Sequence, residues 1–79
     1  IEKEELAEYE ELIRRLYEAI SSLPPMQARR VHARYMLGMK VKDIAAMEGI
    51  TPSQAGKSIH AALRRLRRYF ARQKWTVNL

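Results

Sequence analysis

The sequence contains no cysteine, and among its 79 residues it has only three glycines, three prolines and one tryptophan. The absence of cysteine excludes a disulfide framework and a thiolate zinc site. No apolar run approaches the roughly 20 residues needed to span a bilayer, so we expect no membrane segment. The two histidines, His32 and His60, lie far apart, and the spacing brings neither Asp43 nor Glu48 beside them. We therefore expect no cofactor, no metal site and no enzymatic activity.

Charge is distributed unevenly along the chain, although the formal net charge is +6. Residues 1–20 hold seven glutamates against three basic residues, whereas residues 21–79 hold twelve lysines or arginines against Asp43 and Glu48. A basic segment of this density attracts polyanions. A well-solvated surface is the alternative explanation, and the positions of the charges must decide between the two.

The first predicted helix, residues 3–21, is acidic and amphipathic. Two of its glutamates stand four residues before an arginine, which is the favourable order for an ion pair on a helix. These pairs are Glu10 with Arg14 and Glu11 with Arg15. The apolar residues recur at the steps of a single helical stripe, which comprises Leu6, Tyr9, Ile13, Leu16, Tyr17 and Ile20.

A second helix is predicted from Pro25, which suits the first helical turn because it lacks an N–H group. It should end at about Leu37, with Gly38 as the left-handed residue that follows. Its inward-facing residues are predicted to be Ala28, Val31, Tyr35 and Met36.

A short third helix over residues 41–48 is followed by a tight turn and a long fourth helix. Gly49 supplies a positive φ in the turn, Thr51 is a favourable N-cap, and Pro52 occupies the first helical position. The third helix should bury Val41, Ile44, Ala45 and Met47. The fourth should reach about Gln73, with one apolar stripe made of Ala55, Ile59, Ala62, Leu63, Leu66 and Phe70.

These elements predict an all-α, four-helix domain with a tri-helical helix-turn-helix core and an extra N-terminal helix. We interpret residues 1–79 as a single domain, with residues 3–21 as the acidic helix and residues 25–73 as the helix-turn-helix unit. The tail carries Trp75, Val77 and Leu79, which either pack on the first helix or are exposed for a partner.

Two short helices joined by a glycine-containing turn are the signature of a helix-turn-helix. In such a unit the first helix braces across the DNA backbone, and the N-terminal residues of the second enter the major groove. At about 100° per residue, the face opposite the apolar stripe of the fourth helix carries Ser53, Lys57, Ala61, Arg64 and Arg68, with Gln54 and His60 beside it. Short polar and bidentate groups suit base edges, and arginines suit phosphates. The spacing therefore predicts binding to the major groove of double-stranded DNA.

Several segments carry a resemblance to a known family. They are LPPMQ at 23–27, RYMLG at 34–38, VKDIA at 41–45 and GIT at 49–51, followed by the basic ALRRLR at 62–67. Together they resemble region 4 of bacterial sigma factors of the sigma-70 family, over about residues 12–72.

The resemblance implies a sequence-specific DNA-binding domain of a transcription initiation factor. Such a domain recognises the −35 element of a promoter while docked on the β-subunit flap of the RNA polymerase core. The resemblance implies that Pro52, Ser53, Gln54, Lys57 and His60 face the bases, and we expect the last four to read them. It implies that Arg34, Lys40, Val41 and Lys42 lie at the DNA backbone. With the helix pattern, the phosphate contacts that we expect are Arg34, Lys40, Lys42, Thr51 and Arg64. We expect a monomer located in the cytoplasm, at the nucleoid.

Two residues depart from the family's pattern. Gly56 stands where a long basic or polar residue is usual, and it either permits close approach to DNA or weakens the readout. Glu48 stands where an apolar residue is common, and a carboxylate beside the groove is expected to repel phosphate. Two alternatives therefore remain open. One is a stand-alone sigma-like regulator that binds DNA as a dimer, and the other is a protein-interaction module that kept the fold and lost DNA binding.

Overall fold

The computed structural model describes residues 3–73, in which all regular secondary structure is helical. The elements are α1 (Lys3–Ser21), α2 (Pro25–Val31), a π-helical segment (His32–Met36), α3 (Val41–Glu48) and α4 (Pro52–Arg72). The predicted all-α class is confirmed, and the predicted bounds of α1, α3 and α4 agree with the structure within a residue. No helix in this part of the chain is long and apolar enough to cross a membrane. The predictions for Trp75, Val77 and Leu79 lie outside the described residues.

The turns between the helices follow from local residue chemistry. Pro25 begins α2, and the predicted left-handed glycines are confirmed, with φ values of 69° at Gly38 and 68° at Gly49. A positive φ costs a glycine no steric strain because it has no Cβ. The chain can therefore turn within four residues after the π-helical segment and within three residues after α3.

The second predicted helix differs from expectation after Val31. Its α-helical part ends at Val31, and the Leu37 N–H then donates to the His32 carbonyl at 3.1 Å, an i→i+5 bond of the π type. A π turn takes one residue more than an α turn, so side chains beyond Val31 are rotated away from the predicted stripe. The inward placement of Tyr35 is consequently wrong, since this side chain is 54% exposed.

The core consists of two adjoining apolar clusters that share α4. The larger contains Ala19, Ile20, Leu23, Val31, Ala62, Leu66 and Phe70, and it joins α1 and α2 to α4. The smaller contains Ala33, Ile44 and Ile59, and it joins the π-helical segment and α3 to α4. Because α4 contributes to both clusters, its position is determined by every other helix. The predicted burial of Met47 is wrong, since Met47 is 73% exposed at the outer face of α3.

Only the C-terminal half of α1 packs against the core. Ala19 and Ile20 belong to the larger cluster, and Leu16 packs against it. Leu6, Tyr9 and Tyr17 are exposed, against expectation. The ion pairs of α1 are also rearranged. Arg15 pairs with Glu11 at 2.8 Å as predicted, but Arg14 contacts Glu11 and Glu18 instead of Glu10. The apolar stripe of α1 is therefore correct in its periodicity but only partly covered.

Candidate nucleic-acid interface

The junction between α3 and α4 is a tight turn, and each of the two helices carries a small, buried side chain close to it. Ala45 on α3 and Ala55 on α4 are almost fully buried, at 1% and 0% exposure. The Ile50 N–H donates to the Ala45 carbonyl at 3.0 Å, which closes the end of α3 around Gly49. Alanine at both positions permits close approach of the helices, as the helix-turn-helix interpretation requires.

The start of α4 is fixed by a reciprocal pair of hydrogen bonds. The Gln54 N–H donates to Thr51 Oγ1 at 3.1 Å, and the Thr51 N–H donates to Gln54 Oε1 at 2.9 Å. This capping box satisfies two backbone donors that would otherwise lack partners at the helix end. The predicted cap at Thr51 is confirmed, and the structure adds that the side-chain oxygen of Gln54 is engaged in it.

The four predicted base-reading residues lie together on the outer side of α4. Ser53, Gln54, Lys57 and His60 are all exposed, while the core face of the same turns is made by Ala55, Ile59 and Ala62. Arg64 follows one turn after His60 and is also exposed. The N-terminal half of α4 therefore presents a continuous polar row with basic residues toward its C-terminal side.

Two of the five predicted phosphate-contacting residues lie at the start of α3. Lys40 and Lys42 are exposed at the start of α3, where Lys40 is the N-cap residue and makes no side-chain cap bond. The first backbone N–H groups of a helix lack partners within it and attract anions. Asp43 lies in the same turn and partly offsets the positive charge there.

Arg34 is more constrained than the lysines. Its side chain is half-buried, its Nη1 donates to the Met39 carbonyl at 3.2 Å, and its guanidinium carbon lies 5.6 Å from the centroid of the Tyr35 ring. Arg34 thus holds the loop that leads into α3. A guanidinium group has five N–H donors, so this bond does not exhaust its capacity to contact a phosphate.

A hydrogen-bonded cluster of three side chains was missed by the sequence analysis. Arg30 on α2 donates from Nε and Nη2 to both oxygens of Glu48, over 2.9–3.1 Å, and from Nη1 to Ser58 Oγ on α4 at 2.8 Å. The Arg30 and Glu48 side chains are only 13% and 14% exposed. We call these residues the Arg30–Glu48–Ser58 cluster. A signal was present in the sequence, because Glu48 is one of two carboxylates in the basic residues 21–79.

The cluster corrects the expectation that Glu48 repels phosphate. Its carboxylate is turned into the protein, and its charge is balanced by Arg30. The hydrogen bonds from Arg30 hold the pKa of the Glu48 carboxyl below its ordinary value of 4.5, and the positive charges of Arg30 and Arg29 act in the same direction. The Glu48 side chain therefore joins α3 to α2 inside the protein and does not point toward solvent.

Gly56 lies at the side of α4, next to the polar row. A Cβ built on Gly56 would meet no atom within 4 Å, and the backbone there is not left-handed. Neither packing nor backbone geometry within the described part of the chain therefore requires glycine at this position.

The histidines show no arrangement suited to metal binding. His32 is half-buried, with its ring centroid 6.4 Å from that of Tyr17, and His60 lies on the exposed side of α4. Among residues 3–73, no group of three or more His, Cys, Asp or Glu side chains could hold a metal ion.

Comparison with protein families gives a match that covers most of the helical part of the chain. The family model described as "Sigma-70, region 4" matches residues 13–66, more than half of the chain. No curated protein and no solved structure matches the chain. The matched residues begin within α1 and extend through α2, α3 and the first two-thirds of α4, so they include the turn between α3 and α4 and the polar row.

Proposed function

Because the chain belongs to the sigma-70 region 4 family, whose members bind DNA in transcription, we propose that it recognises the −35 element of a promoter. In this proposal α4 enters the major groove and α3 braces across the sugar-phosphate backbone. The observation that carries the proposal is the exposed polar row of Ser53, Gln54, Lys57 and His60 at the capped start of α4.

Base reading is assigned to this polar row. Lys57 is the residue best suited to guanine, whose major-groove edge offers two acceptors, O6 and N7. Gln54 has its oxygen committed to the capping box, so we propose that it reads bases through its NH₂ group alone. Ser53 and His60 flank these two residues, and we propose that their shorter side chains contact neighbouring bases.

Phosphate binding is assigned to groups at both edges of the polar row. On one side are Lys40 and Lys42, with the first backbone N–H groups of α3, which no side-chain cap covers. On the other side of the polar row is Arg64. Thr51 and Arg34 are the remaining residues that we propose to contact phosphate. These contacts would orient the domain on the duplex without carrying sequence information.

RNA polymerase is the proposed protein partner. Interaction with the polymerase is a general property of the family, and we propose the flap of the β subunit as the specific contact. The region 4 unit is a DNA-binding regulatory domain and not a catalytic one. We propose that this chain acts as a monomer whose affinity for promoter DNA increases when polymerase is present.

The proposal is tested by incubating the domain with a randomised duplex pool and sequencing the bound fraction, with and without polymerase core. Enrichment of one short motif, by a monomer whose affinity for that motif rises with polymerase, supports it. A dimer that enriches a motif and is indifferent to polymerase would favour a stand-alone regulator. Absence of DNA binding at low salt would favour a protein-interaction module.

A further inference from the structure

We propose that the Arg30–Glu48–Ser58 cluster positions α4 for base reading and thereby contributes to sequence discrimination. This inference rests on the proposed function, since discrimination has meaning only for a domain that reads DNA. None of the three side chains belongs to the polar row, and each would act through the orientation of α4.

The cluster joins three elements through one guanidinium group. Arg30 extends from α2, Glu48 is the last residue of α3, and Ser58 lies in the second turn of α4. The fork of Arg30 is used on two sides, because Nε and Nη2 face the carboxylate while Nη1 faces the hydroxyl. A planar guanidinium fixes the directions of its bonds, so a shift of α4 relative to α2 or α3 would break at least one of them.

The attachment point on α4 is suited to controlling rotation of the helix. Ser58 lies beside Ile59 of the core face, immediately after Lys57 and one turn after Gln54. The apolar contacts of Ala55, Ile59 and Ala62 are non-directional and tolerate small rotations about the helix axis. A binding constellation must be held within about 0.5 Å and 10–20° of its productive geometry. A directional bond at the side of α4 supplies that constraint close to Lys57 and Gln54.

Stability alone is a poor explanation for this choice of residues. Glu48 stands at the C-terminal end of α3, where a negative charge is unfavourable to the helix dipole. Removing two charges from water is costly, and a well-packed apolar pair often stabilises a fold as well as an ion pair does. Apolar contacts have no preferred direction, whereas the hydrogen bonds of the cluster do, and these directions are what fix the orientation of α4.

The experiment measures discrimination as the ratio of the Kd on a scrambled duplex to the Kd on the selected duplex. Two variants separate orientation from stability. Ser58→Ala removes only the bond to α4, and the double variant Arg30→Met with Glu48→Leu replaces the ion pair by apolar side chains. The matched control is Ser22→Ala, which removes a hydroxyl that donates to the Ala19 carbonyl at 2.6 Å, at the end of α1. All measurements are made at a temperature at which circular dichroism reports each variant as folded.

We expect Ser58→Ala and the double variant to lower discrimination about fivefold or more, with affinity for the scrambled duplex nearly unchanged. The double variant should keep a Tm within about 5 °C of the wild type, and Ser22→Ala should keep full discrimination. Ser58→Thr keeps a hydroxyl at this position and should recover most of the discrimination that Ser58→Ala loses. Discrimination within twofold of wild type in both folded cluster variants would overturn the inference while leaving the proposed function intact. A wild-type domain without discrimination would overturn both.

Discussion

At the scale of single residues, Lys57 and Arg64 lie on the same side of α4 but are assigned different roles. Lys57 belongs to the polar row, and Arg64 lies one turn beyond His60, where we propose that α4 contacts the DNA backbone. We expect Lys57→Ala to weaken binding to the selected duplex by about 1–3 kcal/mol with little effect on a scrambled duplex. Arg64→Ala should weaken binding to both duplexes alike. Anisotropy titrations on the two duplexes measure this, and equal losses for Lys57→Ala on both would refute its role as a reader.

Gly56 gives a second prediction at this scale. Because a Cβ has open space there and the backbone is helical, Gly56→Ala should raise the free energy of unfolding by about 0.4–1 kcal/mol. Urea denaturation followed by circular dichroism measures the change. A loss of stability would mean that the glycine is needed within the fold itself.

The same variant separates the two explanations of Gly56 in DNA binding. A stabilised Gly56→Ala protein that binds DNA more weakly would indicate that the glycine permits close approach of the duplex. Unchanged or stronger binding would indicate that the glycine limits the readout.

Residue-level predictions from the sequence succeeded where the chemistry is local. The left-handed glycines and the Thr51 cap each depend on a few neighbouring residues. The exposure of Tyr35 was missed because the π turn rotates its side chain, and that of Met47 was missed because it depends on which face of α3 another element covers. Glu48 was misjudged for the same reason, since its partners Arg30 and Ser58 are distant in the sequence and only the fold brings them together.

At the scale of elements, the cap of α4 is the feature on which the orientation of the polar row first depends. Thr51→Ala removes the hydroxyl that accepts from the Gln54 N–H. The free energy of unfolding should fall by about 1 kcal/mol, which corresponds to a Tm lower by about 4–8 °C for a domain of this size. Thr51→Ser is the matched control and should remain close to wild type. If the two variants have equal Tm values, the capping box does not stabilise α4.

The elements also show which kinds of helix a sequence pattern can identify. Apolar periodicity and end signals located α1, α3 and α4 within a residue. The π-helical segment of residues 32–36 gave no separate signal, because the residue types in HARYM are compatible with an α-helix and the change of hydrogen bonding depends on the surrounding contacts. The partly exposed stripe of α1 has a similar origin. Its period is set by the sequence, but its coverage depends on the other helices that pack against it.

At the scale of the whole molecule, the Arg30–Glu48–Ser58 cluster couples stability to pH. The pKa of Glu48 is lowered in the fold, so its contribution to stability is complete above the ordinary carboxyl value of 4.5. The contribution is lost as the pH falls from there through the lower folded-state pKa. We expect the Tm to decline below about pH 4.5 and the decline to be shallower in Glu48→Gln.

The control for the pH prediction is Glu18→Gln, which removes an exposed carboxylate that pairs with Arg14 on α1. Exposed ion pairs contribute little to stability, so this variant should keep the wild-type pH profile. Identical profiles for Glu48→Gln and the wild type would show that the ion pair does not contribute to acid sensitivity.

The distribution of charge over the molecule bears directly on whether the domain reads DNA. The basic groups proposed to contact phosphate are Arg34, Lys40, Lys42 and Arg64, whereas the acidic residues are concentrated in α1. The first measurement is therefore a salt titration of the domain on the selected and the scrambled duplexes. Four neutralised phosphates predict a slope of log Kobs against log salt of about −3 to −4, with tighter binding to the selected duplex at every salt concentration. A steep slope with equal affinities would mean that the domain is attracted to the DNA backbone without reading its sequence. No binding at low salt would contradict the proposal that the domain binds DNA.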